Sequence, residues 1–460
     1  MTCHRLLLPL FLLALAVALP LPGSQARAEP QEITLGRDQS LNFGRQLLAQ
    51  GRPDVAMAMA RALVAVDPQD PEALVLLAAA LQQQGDYPES RQHARAAYAT
   101  ASNDMLRFEA AMLSGRADFH HGAHTRAQWW LRRAAHTAPD AETREIAERN
   151  FLQVRRANPL ELHFNLGVTG SSNVNDGSSS ETIEIFGLPF RLDGTARALS
   201  GTEIGVDMGL RYRLRASRQS ATFALAALST RNYRLSSKAR EIAPDARNRD
   251  FARQTIEIGL AHRFALSEDG AVYEITGRLG RTWYGGDLLS NSARLQLSRS
   301  TMITPQTNLR LTLSTQRQNR LDSAARSSTS YGLQADVAHA FDSGARLFAA
   351  ASWRETQAQA TNVQNTAHRA QVTYVMAEPV MGVRLSSTLD IEQRRFPENI
   401  LQPDGRRDLT GRIGLSASLE EVEYMGFSPS LNLQFSRTRS NVSLHESESL
   451  DMFLGVNSRF

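Results

Sequence analysis

The chain has 460 residues, 42% hydrophobic and 21% charged, and its 51 Lys+Arg against 47 Asp+Glu leave a formal charge of only +4. The single cysteine, Cys3, precedes the first apolar run, so a chain trimmed of that run has no thiol, which excludes disulfides, thiolate catalysis and cysteine-ligated metals. Lys238 is the sole lysine, and the arginines that supply the other positive charges form no basic stripe of the kind that binds nucleic acid.

Residues 1–28, MTCHRLLLPLFLLALAVALPLPGSQARA, combine a basic start, an apolar run and a small-residue exit. That pattern reads as a secretory signal peptide cut after Ala28. Pro20 and Pro22 break the apolar run, which is also short for a membrane-spanning helix. No later stretch approaches the roughly 18 consecutive apolar residues of a spanning helix. Membrane residence would therefore require a barrel.

Residues 29–157 are rich in Ala, Leu, Arg, Glu and Gln, which favour helix. Three segments each carry a turn glycine followed by an Ala-rich amphipathic stretch, with Gly51, Gly85 and Gly122 as the glycines. A period of about 34 with this pattern resembles tetratricopeptide repeats. Small residues such as Ala60 and Ala94 would let paired helices approach closely, and such a stack presents a groove for a peptide or protein. Of the adjacent Trp129 and Trp130, one should face the core and the other offer contact surface; with Tyr87 they are the candidate partner-binding residues. The cluster HHGAH (His120, His121, His124) invites a zinc reading. Gly122 is the turn glycine of its repeat, however, and no carboxylate follows at a suitable spacing, so no metal is expected.

After NPLEL the period becomes two, and residues 158–460 read as strands. In EIGVDMGLRYRL, Ile204, Val206, Met208, Leu210, Tyr212 and Leu214 share one face, while Asp207, Arg211 and Arg213 lie on the other. About fourteen such segments follow, each near the ten residues of a tilted membrane strand. Short connections such as SEDG and TPQT alternate with long polar ones such as RLSSKAREIAPDARNRD. An antiparallel sandwich would also alternate. Long even strands, alternating loop lengths, a leader and a terminal aromatic together select an outer-membrane barrel with both chain ends in the periplasm. Its apolar faces would meet lipid, and Asp207, Arg211, Arg213, Glu257 and Arg412 would face the lumen. The final strand alternates through Leu450, Met452, Leu454 and Val456 to Phe460, and should close against ELHFNLGVTG. The fold expected is thus an all-α repeat domain followed by a transmembrane antiparallel barrel.

Catalysis is not expected. The histidines of the barrel half are scattered singly, no GxSxG-like elbow occurs, and lumen acids and arginines should pair with one another. No cofactor is implied.

The order of parts, together with Ser172, Asn173, Val174 and Asn175 directly after the first strand, resembles the Slam family, the surface lipoprotein assembly modifiers. That resemblance implies a periplasmic repeat domain on a fourteen-stranded barrel in a Gram-negative outer membrane. It also implies dependence on the barrel-assembly machinery and export of a client, either a surface lipoprotein or a soluble secreted protein. Two other readings stay open. A polysaccharide-export porin also joins helical repeats to a barrel, usually with many more of them. A diffusion porin would make the helical domain superfluous.

Overall fold

The computed structural model describes residues 35–458, apart from 186–187, 267–269, 399–401, 403, 420–421, 423 and 425–426. Residues 1–28, where a leader is expected, and the terminal Phe460 lie outside the described residues.

Among the described residues, seven helices come first: α1 (Arg37–Ala49), α2 (Pro53–Val66), α3 (Pro71–Gln84), α4 (Tyr87–Thr100), α5 (Asp104–His120), α6 (His124–Thr137) and α7 (Ala141–Ala157). Pro53 and Pro71 open α2 and α3, where a missing N–H leaves no bond unmade. Gly51, Gly85 and Gly122 turn the chain within each helix pair at φ of 73°, 86° and 76°, a region that only glycine enters readily. Asp70 accepts hydrogen bonds from the Glu72 and Ala73 amides at the start of α3 and two more from Arg37 of α1. Burial pushes its carboxyl up, but these bonds outweigh that and hold it below the usual carboxylate range.

Ala60 and Ala94 are fully buried, so the helix backbones meet closely. The core runs as linked clusters along the stack: Leu41, Leu76 and Leu77; then Leu74, Ala97 and Leu106; then Phe108, Trp130 and Ala147. Each helix is thereby buried by its neighbours, as in repeat solenoids.

A closed antiparallel barrel of fourteen strands follows among the described residues. It begins with β1 (Leu160–Ser171). A small hairpin, β2 (Thr182–Ile185) and β3 (Leu188–Arg191), stands apart from the wall. The wall continues with β4 (Gly201–Ala216), β5 (Ser220–Leu235), β6 (Arg253–Ala265), β7 (Val272–Tyr284), β8 (Asp287–Thr304) and β9 (Thr307–Arg320). It is completed by β10 (Ser328–Ala340), β11 (Arg346–Ala358), β12 (Asn365–Val375), β13 (Val383–Phe396), β14 (Arg406–Leu419), β15 (Phe427–Ser440) and β16 (Ser447–Ser458). Each strand pairs with its neighbours in order, and β16 meets β1. Leu162, Phe164, Leu166 and Val168 point outward and are exposed, as are Leu450, Met452, Leu454 and Val456. A contiguous apolar exterior of this kind is stable only against lipid.

The connections at the helix-bearing end are short, such as 217–219 and 305–306. The opposite end carries the long segments 172–200 and 236–252, the second of which contains a short helix, α8 (Ser237–Ile242). Not every connection there is long, because β7 and β8 join through Gly285 and Gly286 alone, both at positive φ.

Leu433 faces outward near the middle of β15, while Asn432 lies opposite Phe453 and Ser416 on the inner face. Replacing Leu433 by Arg should cost about 2–4 kcal/mol of barrel stability if it lies at the midplane, whereas Asn432→Arg should cost little. Urea unfolding of the refolded barrel in lipid checks this; equal costs would contradict the face assignment.

Candidate functional site

The inner face is polar, and many of its charges are paired, while others such as Arg294 and Arg310 bond neutral side chains. Asp207 accepts hydrogen bonds from Ser229 at 2.7 Å and from both Arg231 terminal nitrogens at 3.0 and 2.9 Å. Arg231 also reaches Glu203 at 3.1 Å. Arg211 lies 3.8 Å over the Phe223 ring and 2.7 Å from Glu274, a carboxylate it shares with Arg263. Glu257 meets Arg278 at 3.4 Å. On β12–β14, Arg412 and Arg369 hold the nearly buried Asp390 at 2.6 and 2.5 Å. Charge pairing across neighbouring strands makes these parts of the wall a hydrogen-bonding surface.

The segment Ser172, Asn173, Val174 and Asn175 ties down the long connection after β1. The Ser172 amide donates to the Leu450 carbonyl at 3.1 Å, and the Leu450 amide donates to the Ser172 hydroxyl at 2.8 Å. Buried Asn173 exchanges two 2.9 Å bonds with the Gly177 backbone. Asn175 donates to the carbonyls of Thr195 and Arg197 and accepts from the Leu199 amide. Val174 packs on a cluster of Leu199, Leu235, Ala239 and Phe251. The connection thus folds back on itself and brings Asp176 inward, at φ 52°. Although Asp176 keeps an accessible surface, desolvation by the surrounding wall pushes its carboxyl up, the charge of Asp451 adds to this, and Arg412 and Arg394 oppose it.

The seam between β1 and β16 differs from every other strand pair. β1 pairs with β4 along its whole length, from Leu160 opposite Tyr212 to Ser171 opposite Gly201. It pairs with β16 over five positions only, from Gly167 opposite Gly455 to Ser171 opposite Asp451. β16 itself continues against β15 as far as Ser458 opposite Phe427. Toward the helix-bearing end, among the described residues, 164–166 and 456–458 thus persist without pairing with each other. At the last pair the Phe453 ring covers Gly167 and Gly455; a Cβ on Gly167 would stand 1.8 Å from the ring, and one on Gly455 2.4 Å.

The helical stack is fastened at this same end. Arg213 lies on the inner face by alternation, but its guanidinium donates to the Ala157 carbonyl at 2.7 Å and the Arg156 carbonyl at 3.4 Å. It satisfies the carbonyl end of α7 instead of lining the channel wall. Arg132 of α6 stacks between Phe151 and Phe427 at 4.8 and 4.7 Å, and His136 meets Tyr424 edge-on at 5.0 Å. A cavity of about 460 Å³ lies between α6, α7 and β1, and one of about 740 Å³ lies beside the unpaired stretch.

Trp130 is a core residue, edge-on to Tyr98 at 5.2 Å, whereas Trp129 is 45% exposed beneath the Arg133 guanidinium at 3.5 Å. Tyr87 stacks on His120 at 4.1 Å, and His124 lies against Phe119, so the HHGAH segment packs with aromatic rings. Tyr87 and Trp129 therefore stand with different partners on α4 and α6. A groove of about 350 Å³ between α5 and α7, lined by Met112, Arg116, Phe119, Gln153 and Val154, went unnoticed in the sequence. So did a row formed by Arg45, Glu72 and Glu109 on alternate helices, where burial pushes the Glu109 carboxyl up and Arg45 opposes it. Phe453 was missed too. The available signal was an inward glycine in each of the two closing strands, LGVTG and FLGV.

The profile described as Surface lipoprotein assembly modifier matches residues 161–460, and the tetratricopeptide repeat profile matches residues 47–113. No curated protein matches the chain. Among solved structures, the Yersinia enterocolitica type III secretion translocator chaperone SycD is 16% identical, over 26% of this chain and 83% of that one, with a TM-score of 0.24. Acinetobacter baumannii OccAB4 is 8% identical over 65% of this chain and 98% of its own, with a TM-score of 0.34. A BenF-like porin from Pseudomonas fluorescens Pf-5 is 6% identical over 65% and 98%, with a TM-score of 0.35.

Because Phe453 fills the hollow left by the seam glycines, Phe453→Ala should destabilise the barrel by about 1–3 kcal/mol, less than for a fully buried ring. The change should also speed amide exchange at 167–171. Urea unfolding and hydrogen exchange check both; unchanged exchange at the seam would remove the role given to this ring.

Proposed function

The chain belongs to the surface lipoprotein assembly modifier family, and from that premise we propose that it is an outer-membrane translocon that moves a lipoprotein client from the periplasm to the cell surface. In this reading the helices, both chain ends and the short turns face the periplasm, and the long segments 172–200 and 236–252 face outward. The barrel exterior supports outer-membrane residence, because only a closed barrel satisfies strand backbones in lipid.

The observation that carries the proposal is the attachment of the repeat stack at the foot of the seam, through Arg213 to α7 and Arg132 to Phe427. A client held by the stack is thereby kept at high local concentration beside the channel mouth. The wall offers hydrogen bonds from paired charges such as Asp207–Arg231 and Asp390–Arg412 and is assigned no chemical step. The connection that carries Asp176 lies at the outer end of the barrel, where a client would leave it.

Deleting residues 35–157 while keeping the leader should leave a heat-modifiable barrel in the outer membrane, because strand pairing does not depend on the helices. Surface display of a co-expressed lipoprotein client, read by protease shaving of whole cells, should fall to background, and supplying the helical domain separately should restore part of it. Undiminished display without the helices would overturn the translocon reading. A barrel that merely leaks small solutes as well as the full chain would favour a diffusion porin.

A further inference from the structure

We infer that the foot of the β1–β16 seam is a lateral portal, in which the acylated N-terminus of a client lipoprotein lies with its acyl chains in the membrane and its peptide entering the lumen. This rests on the translocon reading. Among the described residues the wall is interrupted at one place: beyond Gly167 and Gly455, residues 164–166 of β1 and 456–458 of β16 continue but do not pair with each other. The Ser172 amide bonds to Leu450 of β16, and by alternation the amides of Phe164 and Leu166 point the same way, into the gap. Bare backbone groups at a lipid face are costly, so the gap is either wet from the lumen or filled by a peptide.

The rims of the gap differ in polarity. Toward the membrane stand exposed Leu162, Phe164, Phe427 and Val456. These same apolar residues line one side of the cavity of about 740 Å³, and His163, Asn165, Asp207 and Glu257 line its lumen side, with Arg132 of α6 at its edge. The cavity of about 460 Å³ along α6 and α7 shares Arg132, Leu162 and His163 with it, so the helical stack and the gap form one continuous trough. A free lipid would satisfy the outer rim alone, and a soluble peptide the inner rim alone. A lipidated cysteine at the head of a polypeptide satisfies both. Keeping its chains outside also avoids drawing methylene groups into a polar channel, which each added CH₂ makes less favourable. Above the gap, five residue pairs and the Phe453 ring close the seam, a short contact to part when the anchor moves across.

The test uses the full chain in lipid nanodiscs, with a photoreactive phenylalanine at Phe164 or, as a reference, at lipid-facing Leu297 on β8. The probe is a synthetic triacylated cysteinyl peptide, beside the same peptide without acyl chains. The portal predicts an adduct at Phe164 with the acylated peptide, several times stronger than at Leu297, and only a trace with the unacylated one. Bridging Leu166→Cys to Val456→Cys with a short bis-thiol reagent should abolish capture at Phe164. Equal capture at both positions would mean simple membrane partition, strong capture of the unacylated peptide would mean a soluble-peptide site, and no capture would mean an empty gap. Each overturns the portal. Loss of capture with surface display intact sinks the portal alone, whereas loss of display on the full chain sinks the translocon reading as well.

Discussion

Backbone hydrogen bonding in lipid governs this molecule. Every N–H and C=O on a strand within the membrane needs a partner, and a sheet meets that demand only by closing on itself. Thirteen of the fourteen junctions among the described strands are paired through most of their length, from β1–β4 around to β15–β16. The last, between the strands furthest apart in sequence, is held at five positions. Its inner side is flattened by Gly167 and Gly455 and filled by Phe453. Closure is therefore weakest where the first and last strands meet, and that is also where the helices attach.

The two halves solve burial differently, and the junction reflects both solutions. The repeats gain stability from helix against helix, with alanines such as Ala60, Ala94 and Ala134 buried completely so that the backbones approach. The barrel turns its apolar residues outward and keeps charges inside, where acids such as Asp207, Glu257, Glu274 and Asp390 find arginines. Arg213 joins the two regimes, since its backbone belongs to the wall while its side chain closes the carbonyl end of α7. Arg132, held between Phe151 of α7 and Phe427 of β15, does the same from the helical side.

Much of this was legible in the residues themselves. The run from Ile204 to Leu214 shows its two faces by alternation alone, and Leu450 through Val456 does the same for the closing strand. Gly51, Gly85 and Gly122 marked the helix turns because a positive φ needs glycine. Alternation identifies a face but says nothing about how far two strands run together. The truncated pairing of β1 with β16 was for that reason invisible, as was the meeting of Phe453 with a glycine nearly the whole barrel away in sequence. The Ser172-to-Asn175 segment stood out as a pattern, yet its work is structural: Asn173 and Asn175 spend their amides holding the loop that carries Asp176 inward. Side-chain choices of that kind depend on partners delivered by the fold, and local sequence carries no record of them.

The central claim is that the barrel is incompletely zipped at one end of one seam. Residue-resolved amide hydrogen exchange on the full chain in lipid nanodiscs reads this directly, because the even-numbered amides of β1 face β16. The account predicts slow exchange at Val168 and Gly170 and fast exchange at Phe164 and Leu166. The odd-numbered amides of the same strand, bonded to β4, should stay protected throughout. Uniform protection along both edges of β1 would contradict it.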